Sequence, residues 1–162
     1  MDEVKIRVTI KEDGEFLKKW LSDKDILRWF PMCNEMEIDD AIRIWLAFSK
    51  VNASLTALIN DKPVGSALLY VQSMEKIKHH SLFAIIVDPK FRNKGIGTKL
   101  INELIKIAKN DFKLEFLNLE VYENNPAKRL YDRFGFKVFG IQKKCLKEDG
   151  KYLNKIMMQK YI

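Results

Sequence analysis

The chain has 162 residues, 47% of them apolar and 11% aromatic, with a formal net charge of +7. That length suits one domain with one sizeable core, and this apolar content excludes a disordered chain. The opening residues lack a basic segment followed by an apolar core. No stretch approaches the roughly 20 apolar residues of a membrane span, so export and insertion are not expected and a cytoplasmic location is.

Cys33 and Cys145 lie far apart, without a CxxC pair or a companion histidine cluster. This argues against a disulfide framework and gives no metal site. The positive charge suits an anionic partner: nucleic acid, an acidic surface or a phosphorylated cofactor.

In chain order, Val4 to Ile10 alternates Val4, Ile6, Val8 and Ile10 with Lys5, Arg7 and Thr9, the period of a half-buried strand. Asp13 is placed to cap a helix carrying Phe16, Leu17, Trp20 and Leu21. After a break at Phe30-Pro31, Asp39 or Asp40 is placed to open another with Ile42, Trp45 and Leu46 inward. Ser54 to Ile59 and Val64 to Val71 read as a hairpin around Asn60-Asp61-Lys62-Pro63. Ser81 to Val87 is nearly continuous apolar chain, as in a strand covered on both faces, and ends at Asp88-Pro89. A helix follows from about Gly97 to Lys109, with Leu100, Ile101, Leu104, Ile105 and Ala108 on one stripe. Phe116 to Tyr122 is a strand and Pro126 to Phe134 a short helix. Phe136 to about Lys147 and Tyr152 to Tyr161 are strands around Glu148-Asp149-Gly150. With no repeat, linker or low-complexity tract, residues 1–162 read as one domain of mixed α and β structure.

Two stretches carry chemistry. In Arg92-Asn93-Lys94-Gly95-Ile96-Gly97-Thr98-Lys99-Leu100 a strand hands over to a helix through two glycines and several cations. A helix N-terminus leaves four N–H groups unpartnered and carries partial positive charge, and glycines let a phosphate approach them. Taken alone, the stretch also reads as a turn with solvated lysines. It matches neither GxGxxG, since Leu100 stands at the third glycine, nor a P-loop. The second stretch runs from Asn124 to Phe136. Asn125-Pro126 is a sound helix start and Gly135 a stop, while Leu130 and Phe134 lie one turn apart on a core face. Tyr131 by itself reads as a packed tyrosine with a satisfied hydroxyl.

Together the two stretches resemble the GCN5-related N-acetyltransferase (GNAT) family. Arg92, Gly95 and Gly97 match its loop motif, RxxGxG. Asn124, Ala127, Leu130, Tyr131, Gly135 and Phe136 match its later helix, NxxAxxLYxxxGF. The likeness runs from Lys62 to about Phe139, and the last strand resembles the branch acetylating ribosomal-protein N-termini and spermidine, where an Asp often stands at the place of Asn154. The resemblance implies a single α/β (α+β) GNAT-like domain. Its mixed, twisted sheet of about seven strands splays between strands four and five, with about four helices.

It also implies acetyl-CoA as cofactor and acetyl transfer to a primary amine, whether a peptide N-terminus, a polyamine or another small amine. Backbone groups of Ile85, Ile86 and Val87 would bind the pantetheine arm, with the Val87 N–H facing the thioester oxygen. The loop of Arg92, Asn93, Lys94, Gly95, Ile96, Gly97 and Thr98 would hold the pyrophosphate, Asn124 and Ala127 would flank the arm, and Tyr131 would point its hydroxyl at the sulfur. The family often places a Glu at the start of strand four, where this chain has His79 and His80. Either histidine, Glu120 on strand five or a water chain is a candidate base. A lysine-like amine is neutral only about 0.04% of the time at pH 7, whereas a peptide α-amine loses only about 1 kcal/mol to protonation. Trp29, Phe30 and Trp45 read first as core and second as acceptor-site aromatics. Cys33 has no sequence neighbour to activate it. The expected partners are acetyl-CoA and an amine, not nucleic acid or membrane, with a monomer or homodimer. A non-catalytic acyl-CoA-binding module and, further off, a nucleic-acid binder are the alternatives.

Overall fold

In a computed structural model, which describes residues 3–162, the alternating N-terminal segment forms strand β1 (Val4–Val8). Ile10 falls outside it, because the chain turns there into a 3-10 turn, Lys11–Asp13. Asp13 directs that turn. Its buried carboxylate accepts from Arg7 Nη1 at 2.6 Å and Nη2 at 2.9 Å, from the Ile10 N–H at 2.9 Å and from Thr56 Oγ1 at 2.9 Å. The side chain predicted to cap the next helix is therefore spent on an ion pair, and α1 (Gly14–Leu21) has no side-chain cap.

A one-turn helix absent from the sequence reading, α2 (Lys24–Leu27), follows, capped by Asp23. The next helix, α3 (Glu35–Ser49), starts before Asp39 and Asp40. Asn34 accepts the Glu37 N–H at 3.0 Å while Glu37 Oε2 accepts the Cys33 N–H at 2.6 Å, a reciprocal lock on the first turn. Among the described residues five α-helices thus stand where about four were expected.

Strands β2 (Ser54–Ile59) and β3 (Lys62–Tyr70) form the expected hairpin, with a tighter turn. Asn60 and Asp61 alone make it, both left-handed at φ 49° and 60°, and Pro63 sits in β3 at a register shift that tolerates its missing N–H. Then come β4 (His80–Val87), α4 (Ile96–Asn110), β5 (Phe116–Tyr122), α5 (Lys128–Arg133), β6 (Lys137–Glu148) and β7 (Lys151–Tyr161).

The strands make one mixed sheet in the order β1-β2-β3-β4-β5-β7-β6. Only β4 and β5 are parallel, and they pair only at His80–Phe116, Ser81–Leu117 and Leu82–Asn118. Beyond that, β4 runs on to Val87 and β5 to Tyr122 without pairing to each other, which is the splay expected between strands four and five. Each diverging strand stays paired to its outer neighbour, β3 as far as Val87 and β7 as far as Tyr122. Helices α1 to α3 cover one face around Trp20, Trp45, Leu68 and Ile86. On the other face α4 and α5 pack with Leu100, Leu104, Phe83 and Leu117. Trp45 is core, its indole N–H donating to Ser66 Oγ at 2.9 Å. Trp29 and Phe30 are only half-buried.

Candidate active site

The first half of the site is the mouth of α4. Gly95 precedes the helix at φ 78° and no side chain caps it. The Lys99 N–H donates to the Gly95 carbonyl at 3.0 Å, so the N–H groups of Ile96, Gly97 and Thr98 lie outside the helix's own bonding. Arg92, Asn93, Lys94 and Lys99 are exposed around them, and Lys94 Nζ lies 5.1 Å from the Phe91 ring centroid. The two glycines act differently. A Cβ on Gly95 would meet nothing within 4 Å, so its conformation is what needs glycine. A Cβ on Gly97 would come within 2.9 Å of Leu130 Cδ2, so this glycine lets α5 lie against α4 rather than clearing room for an anion.

The second half is the gap between β4 and β5. The Asp88 N–H donates to the Val64 carbonyl at 2.9 Å, and the His79 carbonyl accepts the Glu115 N–H at 2.7 Å. These two bonds fix the alternation along β4. Ile86 turns its backbone groups to β3, while Ile85 and Val87 turn theirs to the side from which β5 has diverged. Asp88 also receives the Trp20 indole N–H at 3.1 Å and the Lys90 N–H at 2.9 Å, pinning the strand's end to α1.

Tyr131 faces the α4–α5 side. Its ring centroid lies 6.0 Å from that of Phe83 and 6.3 Å from that of Phe136. The residue is 8% exposed, and burial pushes the phenol's pKa well above its ordinary value. The ring is packed, but among the described residues its hydroxyl takes no hydrogen-bond partner, unlike the satisfied hydroxyl read from sequence. Asn125 Oδ1 accepts the Ala127 N–H at 3.0 Å ahead of the helix, Asn124 is exposed at φ 68°, and Gly135 ends the element at φ 83°.

On the opposite face a cavity of about 320 Å³ is lined by His80, Leu82, Asn118, Glu120, Phe139 and Met157, with Gln72, Ile77 and Leu119. Of the two histidines it is His80 that reaches this wall. Its ring stacks on Phe116 at 4.8 Å, and Nδ1 lies 3.4 Å from Asn118 Nδ2. His79 packs edge-on against His80 and Phe116 instead, at 4.9 and 5.7 Å. Glu120 Oε2 lies 3.2 Å from Lys155 Nζ, whose side chain is 17% exposed. Burial first and then the Glu120 charge raise the pKa of Tyr70. Burial, Cys145 and Glu120 raise that of Tyr122.

Asn118 and Lys155 escape the sequence reading. Alternation along β5 puts Asn118 beside Glu120, but Lys155 becomes visible only once β7 is registered against β5. Among the described residues no group of three or more His, Cys, Asp or Glu side chains is arranged to hold a metal, and no helix is long and apolar enough to cross a membrane. Both cysteines are free, and the hydrogen bond and charge of Glu37 raise the pKa of the exposed Cys33 thiol, which makes it a poorer nucleophile.

Residues 17–136 match the model of the acetyltransferase (GNAT) family. The chain belongs to the GNAT family. GNAT acetyltransferases draw on acetyl-CoA, so this GNAT chain is an acetyl-CoA-dependent N-acetyltransferase. The L-amino acid N-acetyltransferase AaaT of Escherichia coli (strain K12) is 26% identical to it over 98% of both chains. The spermine/spermidine N(1)-acetyltransferase of Bacillus subtilis (strain 168) is 38% identical over 33% of this GNAT chain and 36% of its own. In fold the chain is similar to yncA, a putative acetyltransferase from Salmonella typhimurium solved with its cofactor acetyl-CoA. The TM-score is 0.81 at 21% identity, covering 98% of this chain and 93% of that one.

Proposed function

We propose that this GNAT enzyme acetylates a small primary amine by direct attack in a ternary complex. Acetyl-CoA lies in the splay, and the amine enters from the cavity on the opposite face. One observation carries the reading. Pairing between β4 and β5 stops at Leu82 and Asn118, with bare backbone of Ile85 and Val87 beyond it, a Tyr131 hydroxyl with no partner among the described residues on one face and the Glu120 cavity on the other.

The residues fit the cofactor. The free N–H groups of Ile96, Gly97 and Thr98, with Arg92, Lys94 and Lys99 around them, suit a diphosphate. Asn93, Gly95, Asn124 and Ala127 shape the loops on either side. Ile85 and Val87 offer donors and acceptors to an extended amide-bearing arm, while Ile86 anchors the strand to β3. When bound, acetyl-CoA supplies an acetyl thioester whose carbon the amine nitrogen takes and whose sulfur departs as a thiolate needing one proton. The Val87 N–H stabilises negative charge developing on the carbonyl oxygen. Tyr131 holds a proton at Oη toward the departing sulfur. Its reference pKa, about 10 against about 8.5 for a thiol, makes hydrogen bonding its main contribution. The amine's proton has two receivers on the cavity wall, His80 and Glu120.

The relatives' names span amino acids and polyamines. Both are primary amines, so the names support the amine and do not select its class. The test is thermal stabilisation by acetyl-CoA together with free-thiol release on a panel of amines. Stabilisation and amine-dependent release are expected. Stabilisation without turnover on any amine would favour an acyl-CoA-binding module instead, and a folded protein indifferent to acetyl-CoA would refute both.

A further inference from the structure

We infer that the acceptor is a free amino acid or a similar small aminocarboxylate, its carboxylate held by Lys155 and its amine presented between Asn118 and His80. The inference rests on the transferase reading above and names its substrate class.

The cavity is small, about 320 Å³, near the lower end of ligand sites, which run from about 300 to 1,000 Å³. The polar groups fall into two sets, one on the cavity wall at Asn118 and His80 and one that reaches from Glu120 on the wall to Lys155 behind it. Asn118 Oδ1 is the one buried side-chain oxygen or nitrogen without a hydrogen-bond partner among the described residues, and it belongs to the carboxamide beside His80. An acceptor atom in that position calls for an N–H donor. Asn118 also forms the last β4–β5 pair, so a donor bound there sits where the gap opens.

The second set lies around Glu120. Among the described residues its carboxylate is the only one on the cavity wall, and Lys155 stands 3.2 Å from it. A lysine ammonium has three donors, and Glu120 is the only partner it has among the described residues. Tyr70 and Tyr122 are near enough to feel the Glu120 charge, and neither hydroxyl has a partner among the described residues. Lys155 thus keeps ammonium N–H groups without an acceptor among the described residues, which suits an incoming carboxylate.

A polyamine matches poorly. Its second ammonium would have to compete with Lys155 for the Glu120 carboxylate. A peptide N-terminus has no carboxylate at that spacing, so it leaves Lys155 to Glu120 alone. The remaining wall, Leu82, Phe139 and Met157, is apolar and suits an apolar side chain on the amino acid.

The experiment measures thiol release from acetyl-CoA by the full chain with L-leucine, L-methionine, leucine amide, isopentylamine and spermidine. The amino acids are expected to exceed isopentylamine and leucine amide in kcat/KM by about 10- to 100-fold, the worth of a charged hydrogen bond. Lys155→Met should shrink that preference through KM, and Lys155→Arg should restore most of it. The inference is overturned if spermidine or isopentylamine matches the amino acids, if none of the five is turned over, or if Lys155→Met lowers every acceptor equally. Should Lys155→Met fail to fold, the wild-type panel decides alone. Turnover of spermidine alone sinks this inference and leaves the transferase standing, whereas no thiol release and no stabilisation by acetyl-CoA sinks both.

Discussion

Taking one oxygen from Tyr131 should separate chemistry from stability. In Tyr131→Phe the ring contacts with Phe83 and Phe136 persist, and no buried group loses a partner, because the hydroxyl has none among the described residues. The stability change should stay within about 0.5 kcal/mol, which for a chain of this size is about 1–2 °C in Tm. Catalysis should suffer far more. Proton transfer from a phenol to a thiolate is uphill by about 1.5 pKa units, roughly 2 kcal/mol, and burial makes this phenol a still weaker acid. What the hydroxyl offers is thus a hydrogen bond to the departing sulfur, worth about 1.5–3 kcal/mol and so about 10- to 150-fold in kcat. Because burial raises its pKa, the donor stays protonated as pH rises, and wild-type kcat should show no alkaline loss from this group below pH 10 or so. Steady-state thiol release with saturating acetyl-CoA, set beside a thermal melt, measures both quantities. A variant with kcat within twofold of wild type and an unchanged Tm would refute the role. A Tm drop above about 5 °C, roughly 1.3–2.5 kcal/mol, would refute the claim that the hydroxyl supports nothing in the fold.

Asp13→Ala leaves the Ile10 N–H without its acceptor and the Thr56 hydroxyl with Thr9 Oγ1 alone, at 3.0 Å, while Arg7, about a third exposed, loses its ion-pair partner and turns to water. A loss of about 3 kcal/mol is expected, or about 6–12 °C in Tm. Burial alone would raise the Asp13 pKa, but the bonds from Arg7, Ile10 and Thr56 outweigh it and hold the folded value below the unfolded one. The contribution is therefore complete above about pH 4 and fades as pH falls through the folded pKa, so urea midpoints of wild type and variant should converge in acid; a gap constant down to pH 2 or so would contradict this. Gly95→Ala at φ 78° should cost about 1–2 kcal/mol and weaken acetyl-CoA binding measured by calorimetry. Gly97→Ala should instead displace Leu130 and the helix bearing Tyr131, lowering kcat more than affinity. The double variant His80→Gln/Glu120→Gln should lose about 10²- to 10⁴-fold in kcat/KM at neutral pH, and full retention would assign the proton to water.

Local chemistry made much of this protein readable before its structure. Asn60-Asp61 and Asp149-Gly150 announced their hairpins, since few residues tolerate two successive left-handed positions. Asn125 and Gly135 bracketed α5, and the loop around Gly95 was found by its glycines and cations. Long-range pairing was not readable. Asp13 has the right type and place for a cap, and only the fold brings Arg7 and Thr56 to claim it. The start of α3 was lost because Asp39 and Asp40 cap as well as Asn34 does, while the bond that decides runs from Cys33 to Glu37. Which histidine reaches the cavity depends on the phase of β4, and two adjacent histidines leave that phase open. The splay came from family resemblance, because an apolar strand looks the same whether its neighbour pairs along it or leaves halfway.

Since β3 and β7 already grip the two diverging strands, the cleft behaves as a fixed jaw and not as a door. No backbone bond has to open before a guest arrives, so association should be fast and leave the sheet's shape unchanged. In deuterated solvent the amides of Ile85 and Val87 should swap hydrogen quickly although they lie mid-molecule, and slow sharply once an acyl-CoA occupies the groove.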